Sequence, residues 1–279
     1  MTVQPRPQIF VNGKRVNSDR AFRLSFHEDQ IFVFESLKSY GGVIFHLKEH
    51  LERLFESAKT IGLKLPKTRD QFEAELNHCL QLAVPILLWD AFLRLAADEE
   101  NTYIWILDRK RPSWIYTEGV CLKTAVPRRN FVNAAPSEPK TSAFFNNVLV
   151  AMEQGEKDID ESIILDSNGY VTEATIWNLF FVKGKALFTP AVGILHGVTR
   201  QFVIKCAEKN SLPVFELNLT RHDFWNAEEA FLTNTSGEIV PIRSLDGRTI
   251  GTSVPGAVTK KLMTRFRSEL EKELRRNED

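Results

Sequence analysis

Lys140 is the one cation in Ser137–Gln154, a stretch that reads SEPKTSAFFNNVLVAMEQ. It follows a proline and stands ahead of an apolar run with Phe144, Phe145, Val148, Leu149 and Val150. A lysine there either solvates a helix start or is a reactive amine, since a desolvated amine sheds its proton and can act as nucleophile or base. Glu173 lies in YVTEATIW, where the strand period puts Val171, Glu173 and Thr175 on one face. A buried carboxylate without a cation costs several kcal/mol. Glu173 is therefore a partly exposed strand end or the partner of a cation such as a protonated ring nitrogen. Gly197, Val198 and Thr199 precede or open a helix, where backbone N–H groups and a hydroxyl can hold an anion. Thr233, Asn234, Thr235, Ser236 and Gly237 make a hydroxyl-rich loop, either a turn or a second anion clamp. Arg94 sits in the apolar AFLRLAA, where arginine is seldom buried unpaired and can receive a carboxylate bidentately. Arg53, in the helical HLERL, reads by itself as a surface group.

The elements that must position these residues are mixed. Asn12-Gly13 predicts a hairpin, Tyr40-Gly41-Gly42 joins two strands, and Asn168-Gly169, Lys183-Gly184-Lys185 and Asp246-Gly247 mark further turns. Helices are predicted from about Leu47 to Ile61, over TRDQFEAELNHCLQLA with Thr68 or Asp70 as its cap, and over FNNVLVAMEQGE, TRQFVIKCAEKN and the charged C-terminal AVTKKLMTRFRSELEKELRR. Both ILLWDAFLRLAAD and NTYIWILDRK read as strands. Around AVPRRNFVNAAPSEPKTS periodicity is lost and prolines gather, which marks an interdomain connection. The fold class is α+β in two domains: residues 1–125, a connection over 126–137, and 138–279.

Composition narrows the function. The 279 residues suit two domains, and 36 basic against 36 acidic residues leave no net charge to draw nucleic acid or a membrane surface. No apolar run approaches the ~20 residues that span a bilayer. The three cysteines, Cys79, Cys121 and Cys206, are far apart, which argues against a zinc site or disulfide framework. His46 and His50 have helical spacing within a plain amphipathic helix, so no metal is expected. The N-terminus lacks the apolar core of a secretory signal, so the chain is read as cytoplasmic.

The order HLERL, PKTSAFFNN, DSNGYVTEATIWNLFFV, LFTP, ILHGVTR, EEAFLTNTSGEIVPIRSLDG resembles the class IV aminotransferase family, pyridoxal 5'-phosphate enzymes of fold type IV. The resemblance runs over about residues 8–265 and is densest from Lys140 to Gly247. It implies mostly antiparallel sheets with flanking helices, an active site in the interdomain cleft, and a homodimer. Lys140 matches the Schiff-base lysine that also moves a proton between Cα and C4′. Glu173 matches the carboxylate on the pyridinium nitrogen. Arg53, Gly197, Val198, Thr199, Thr235 and Ser236 match the phosphate-binding positions. Arg94, with Phe34 and Tyr40, is implied on the substrate side. The sequence departs from the family there: Gln30-Ile31-Phe32 replaces a glycine-rich segment, Phe145 and Phe92 stand for tyrosines, and Asp98-Glu99-Glu100 stands for a glycine. The Arg-x-His pair of D-amino-acid aminotransferases is not visible in EENTYIWILD. The implied activity is transfer of an amino group from an apolar, branched-chain-like L-amino acid to a 2-keto acid such as 2-oxoglutarate. The alternatives are aminodeoxychorismate lyase, D-amino-acid aminotransferase, and a non-catalytic dimeric binding protein.

Overall fold

Turn chemistry and alternation build the first half of the chain. β1 (Gln8–Val11) and β2 (Lys14–Val16) are joined by Asn12 and Gly13 at φ 50° and 75°, the type I′ geometry that Asn-Gly favours. β3 (Val33–Tyr40) turns into β4 (Val43–Ile44) through Gly41 and Gly42. β5 (Phe92–Ala97) and β6 (Thr102–Leu107) are closed by Asp98, whose Oδ1 accepts from the backbone N–H groups of Glu100 and Asn101 at 2.8 and 2.7 Å. These strands form one antiparallel sheet in the order β2-β1-β6-β5-β3-β4. Two helices follow β4 in sequence: α1 (Leu47–Thr60) and α2 (Arg69–Ala83). α1 sends Leu51, Leu54 and Ala58 into a core shared with Val33 and Leu37 of β3. Thr68 and Gln71 exchange capping hydrogen bonds, Gln71 N to Thr68 Oγ1 and Thr68 N to Gln71 Oε1, so Thr68 rather than Asp70 is the cap of α2.

The computed structural model describes residues 7–17, 31–83, 90–131, 136–143, 145–152 and 158–276, without the side chains of Phe145 and Arg276. Gln30, part of the connection 126–137 and the end of the helix predicted over FNNVLVAMEQGE lie outside the described residues. The chain divides into two units, Met1–Lys110 with Pro139–Ala143, and Arg111–Glu138 with Phe144–Asp279. This differs from the expected boundary near residue 125 for a physical reason. β7 (Val120–Thr124) pairs in parallel with two strands of the second sheet, β8 (Glu161–Leu165) and β14 (Glu238–Leu245), and so belongs there. Lys140, placed by sequence in the second domain, returns to the first unit with its neighbours.

The second unit adds β9 (Val171–Ala174), β10 (Asn178–Lys183), β11 (Ala186–Pro190), β12 (Val214–Leu217), β13 (Glu229–Asn234) and β15 (Arg248–Thr249). Its helices are α3 (Trp114–Thr117), α4 (Phe145–Met152), α5 (Val198–Glu208), α6 (Arg221–Trp225) and α7 (Ala257–Arg276). The sheet runs β12-β11-β10-β13-β14-β7-β8-β9, with β15 on β14. Its pairings are antiparallel except β7–β8, β7–β14 and β11–β12. β10 is buried over five of its six residues, and its neighbouring phenylalanines stack with different strands: Phe180 on Phe231, and Phe181 on Phe188, each at 5.0 Å. That packing makes β10 and β13 a rigid floor for the loops at their ends.

Candidate active site

In the first unit Lys140 is held by its main chain in extended conformation beside the start of β3. Its carbonyl accepts from Phe34 N at 3.0 Å, and its N–H donates to Ser57 Oγ on α1 at 2.9 Å. Thr141 bridges Val33, and Ser142 N donates to the Phe32 carbonyl. The helix begins at Phe145, where FNNVLVAMEQGE predicted it, and Lys140 lies on a short strand-like segment ahead of it rather than at the helix start. Lys140 Nζ lies 4.5 Å from the Phe34 ring centroid, and the Arg94 guanidinium lies 4.9 Å from the same ring.

Pairing puts Phe34 opposite Ala96, Ser36 opposite Arg94 and Lys38 opposite Phe92, with Trp105 and Tyr103 next across β6. Directly opposed residues share a face. That face joins apolar and aromatic side chains to the cations of Arg94 and Lys38. Burial lowers the Arg94 pKa, and among the described residues no carboxylate pairs with it. Tyr40 closes the strand edge-on against Phe45, with Lys38 over its ring. The acidic run contributes differently from its composition. Asp98 Oδ2 accepts from Tyr103 OH at 3.1 Å, and burial together with this acid pushes the phenol up to about 12.

The opposite face of β3 carries Glu35, fully buried. Arg53 of α1 donates from Nε to Glu35 Oε1 and from one terminal nitrogen to Oε2, both at 2.7 Å. His50 Nδ1 lies 2.8 Å from Oε2, and an acceptor-only carboxylate requires the proton on that nitrogen. Burial alone would raise the Glu35 pKa. The Arg53 charge and the hydrogen bonds from His50 and Arg53 outweigh it and hold the carboxyl well below its usual range. Arg53, read alone as a surface group, is in fact oriented by a buried acid.

In the second unit Glu173 is buried on β9. Its Oε1 takes Arg129 at 2.9 Å, and its Oε2 accepts from Leu195 N at 2.8 Å and Asn178 Nδ2 at 3.4 Å. Arg129 is itself fixed by Asn147 Oδ1 at 2.8 Å. Gly197 is the N-cap residue of α5, which has no side-chain cap and no acidic residue in its first turn. A Cβ on Gly197 would collide with Asn178 Oδ1, whose amide is tied to the Leu195 carbonyl, so a larger residue there would displace Asn178. The first-turn N–H groups of Val198 and Thr199 thus form a cradle for an acceptor from outside the helix.

Thr235 and Ser236 lie in the β13–β14 turn, which Asn234 organises: its Oδ1 accepts from Ser236 N and Gly237 N at 3.0 and 2.8 Å. The Ser236 hydroxyl donates to Asn234 Oδ1 and receives Arg111 at 3.1 Å, so it serves the turn.

A family model for amino-transferase class IV matches residues 32–245. The chain belongs to the class IV aminotransferases. A relative from Methanocaldococcus jannaschii, provisionally named a branched-chain-amino-acid aminotransferase, is 34% identical over 277 residues, covering 93% of this chain and 95% of its own. The D-alanine aminotransferase of Bacillus licheniformis is 30% identical over 254 residues, covering 85% and 87%. The solved branched-chain amino acid aminotransferase of Escherichia coli superposes at TM-score 0.84 with 27% identity over 94% of this chain and 93% of that one. The α+β architecture of this class IV aminotransferase is accordingly fold type IV. Pyridoxal phosphate is the family's cofactor, and another solved branched-chain enzyme of this fold holds its amine form, pyridoxamine 5'-phosphate. Such a group needs an anion cradle and an acceptor for its ring nitrogen. The Gly197 cradle and the Glu173 carboxylate fit those two needs.

Sequence reasoning missed Glu35, His50, Arg129 and Asn178. Glu35 carried a signal, an acid flanked by Val33 and Leu37 on a buried strand face. Arg129 carried none, because its loop has no period.

Proposed function

We propose that this class IV aminotransferase is a pyridoxal-phosphate enzyme that transfers the amino group of an apolar, branched-chain-like L-amino acid to a 2-keto acid such as 2-oxoglutarate. The observation that supports the reading best is Glu173, a carboxylate buried on β9 that the sequence resemblance matches to the partner of the ring nitrogen. When bound, the cofactor supplies an electron sink for the substrate's Cα.

This chain's residues do the rest. Lys140 holds the cofactor at C4′ and moves a proton between that atom and Cα, as general base and then general acid. Its main chain is fixed, so its four-carbon stem does the travelling. Glu173 receives the ring N–H, with Arg129 and Leu195 N holding its two oxygens. Val198 and Thr199 offer backbone donors to the phosphate, Gly197 allows its close approach, Thr235 adds a hydroxyl, and Arg53, steadied by Glu35, adds charge. Ser236 shapes the turn. On the substrate side, Phe34 and Tyr40 offer apolar surface and Arg94 a carboxylate partner. A homodimer acting in the cytoplasm completes this reading; among the described residues no helix is long and apolar enough to cross a membrane.

The test is a panel of L- and D-amino donors assayed with 2-oxoglutarate and pyridoxal phosphate, on wild type and Lys140→Ala. Glutamate should form from L-leucine, L-isoleucine and L-valine and not from D-alanine, and Lys140→Ala should lose ~10²-fold or more. Full rates in the alanine variant would refute the lysine assignment. Pyruvate release from aminodeoxychorismate without glutamate formation would favour the lyase.

A further inference from the structure

Arg200 is the largest side chain buried to completion, and it stands third in α5, directly after Thr199. Its Nη2 donates to Glu216 Oε2 at 2.6 Å and to the Pro190 carbonyl at 3.0 Å, and its Nε to Thr189 Oγ1 at 3.3 Å. The guanidinium therefore ties the first turn of α5 to β11 and β12. Three features make it a poor choice for packing alone. Its Nη1 has no hydrogen-bond partner among the described residues. Its one acid, Glu216, has a side chain 45% exposed, so the pair's attraction is screened by water. A cation in the first turn of a helix also opposes the helix dipole. Each cost is offset when an anion lies against the N-terminus of α5, because the anion meets backbone donors and a nearby buried charge together.

We infer that Arg200 is a positioning residue for the cofactor's phosphate: it locks the first turn of α5 in place and supplies a fixed buried positive charge behind the Val198 and Thr199 amides. This rests on reading that turn as the phosphate site. The role is specific to the phosphate end, so it predicts a change in the preference for phosphorylated over unphosphorylated cofactor.

The experiment titrates the full-length chain, freed of cofactor, with pyridoxal phosphate and with phosphate-free pyridoxal, and measures the inorganic phosphate that displaces pyridoxal phosphate. Arg200→Gln should weaken pyridoxal phosphate and inorganic phosphate by ~tenfold, the size of a lost charge-assisted contact, and pyridoxal by less than about twofold. Arg200→Lys should recover part of the loss. Glu216→Gln, a half-exposed change that leaves the buried charge in place, should shift the same ratio by a few-fold. If Arg200→Gln does not fold, the lysine and Glu216 variants are judged by that ratio. Equal losses for both cofactors, or no loss for either, would overturn the inference. A wild type that binds pyridoxal as tightly as pyridoxal phosphate would instead overturn the phosphate reading itself.

Discussion

Each unit of the molecule buries a glutamate against an arginine, and the two pairs are built in reverse. In the first, Glu35 is inaccessible and supports Arg53, with His50 as a second donor. In the second, Arg129 supports Glu173, with Leu195 N and Asn178 as further donors. A buried ion pair is weak evidence of net stability, because desolvation consumes much of its attraction. What each pair secures is the direction of one member: a guanidinium in the first unit, a carboxylate in the second.

That contrast can be broken. Glu173→Gln should lower kcat by ~10³-fold, a barrier increase of about 4 kcal/mol, while pyridoxal phosphate still binds. Glu35→Gln should do the opposite, weakening pyridoxal phosphate while a saturated enzyme keeps most of its kcat. If both variants lose kcat equally, the two acids do the same job. Arg53→Met strands Glu35 beside a neutral histidine and should cost about 3 kcal/mol in chemical denaturation. A smaller effect comes from His50. Burial lowers its pKa below the ordinary 6.5, against the pull of Glu35. Folding therefore favours the neutral ring. Its contribution is fully present above about pH 6.5 and falls below that, by at most ~1.4 kcal/mol per pH unit. Glu35 stays ionised across this window. His50→Asn, which keeps a donor near the Nδ1 position, should flatten the dependence of melting temperature on pH between about 6.5 and about 5. The smallest expected change is Tyr103→Phe, which removes one hydrogen bond to Asp98 and should cost ~1 kcal/mol in the same melts.

Sequence and structure part company along the same line. The hairpins at Asn12-Gly13 and Asp246-Gly247 were legible because αL geometry selects those residues, and α1 was legible from its apolar stripe. Among site residues, Glu173 stood out as a charge on a buried strand and Gly197 as a glycine at a helix start. The supporting partners were hidden because each depends on long-range contact. Arg129 reaches Glu173 across 44 residues of chain. Arg53 looked like a solvated helical arginine because Glu35, 18 residues away, is adjacent only once α1 packs on β3. The grouping of Pro139–Ala143 with the first unit was hidden for a related reason. The backbone pairing of Lys140, Thr141 and Ser142 with the start of β3 carries no compositional signal.

That pairing has a kinetic consequence. The start of β3, paired with β5 on one side, obtains its second partner from a residue 106 positions later, through the bond from Phe34 N to the Lys140 carbonyl. Loop-closure entropy must be met before such a contact repays it. A chain emerging from synthesis can form the hairpins and helices of its first 110 residues, yet Val33 and Phe34 still await the segment around Lys140. The proposed reactive amine arrives on the last strand-like segment of the unit that holds it, so completion of that unit and placement of the amine are one event.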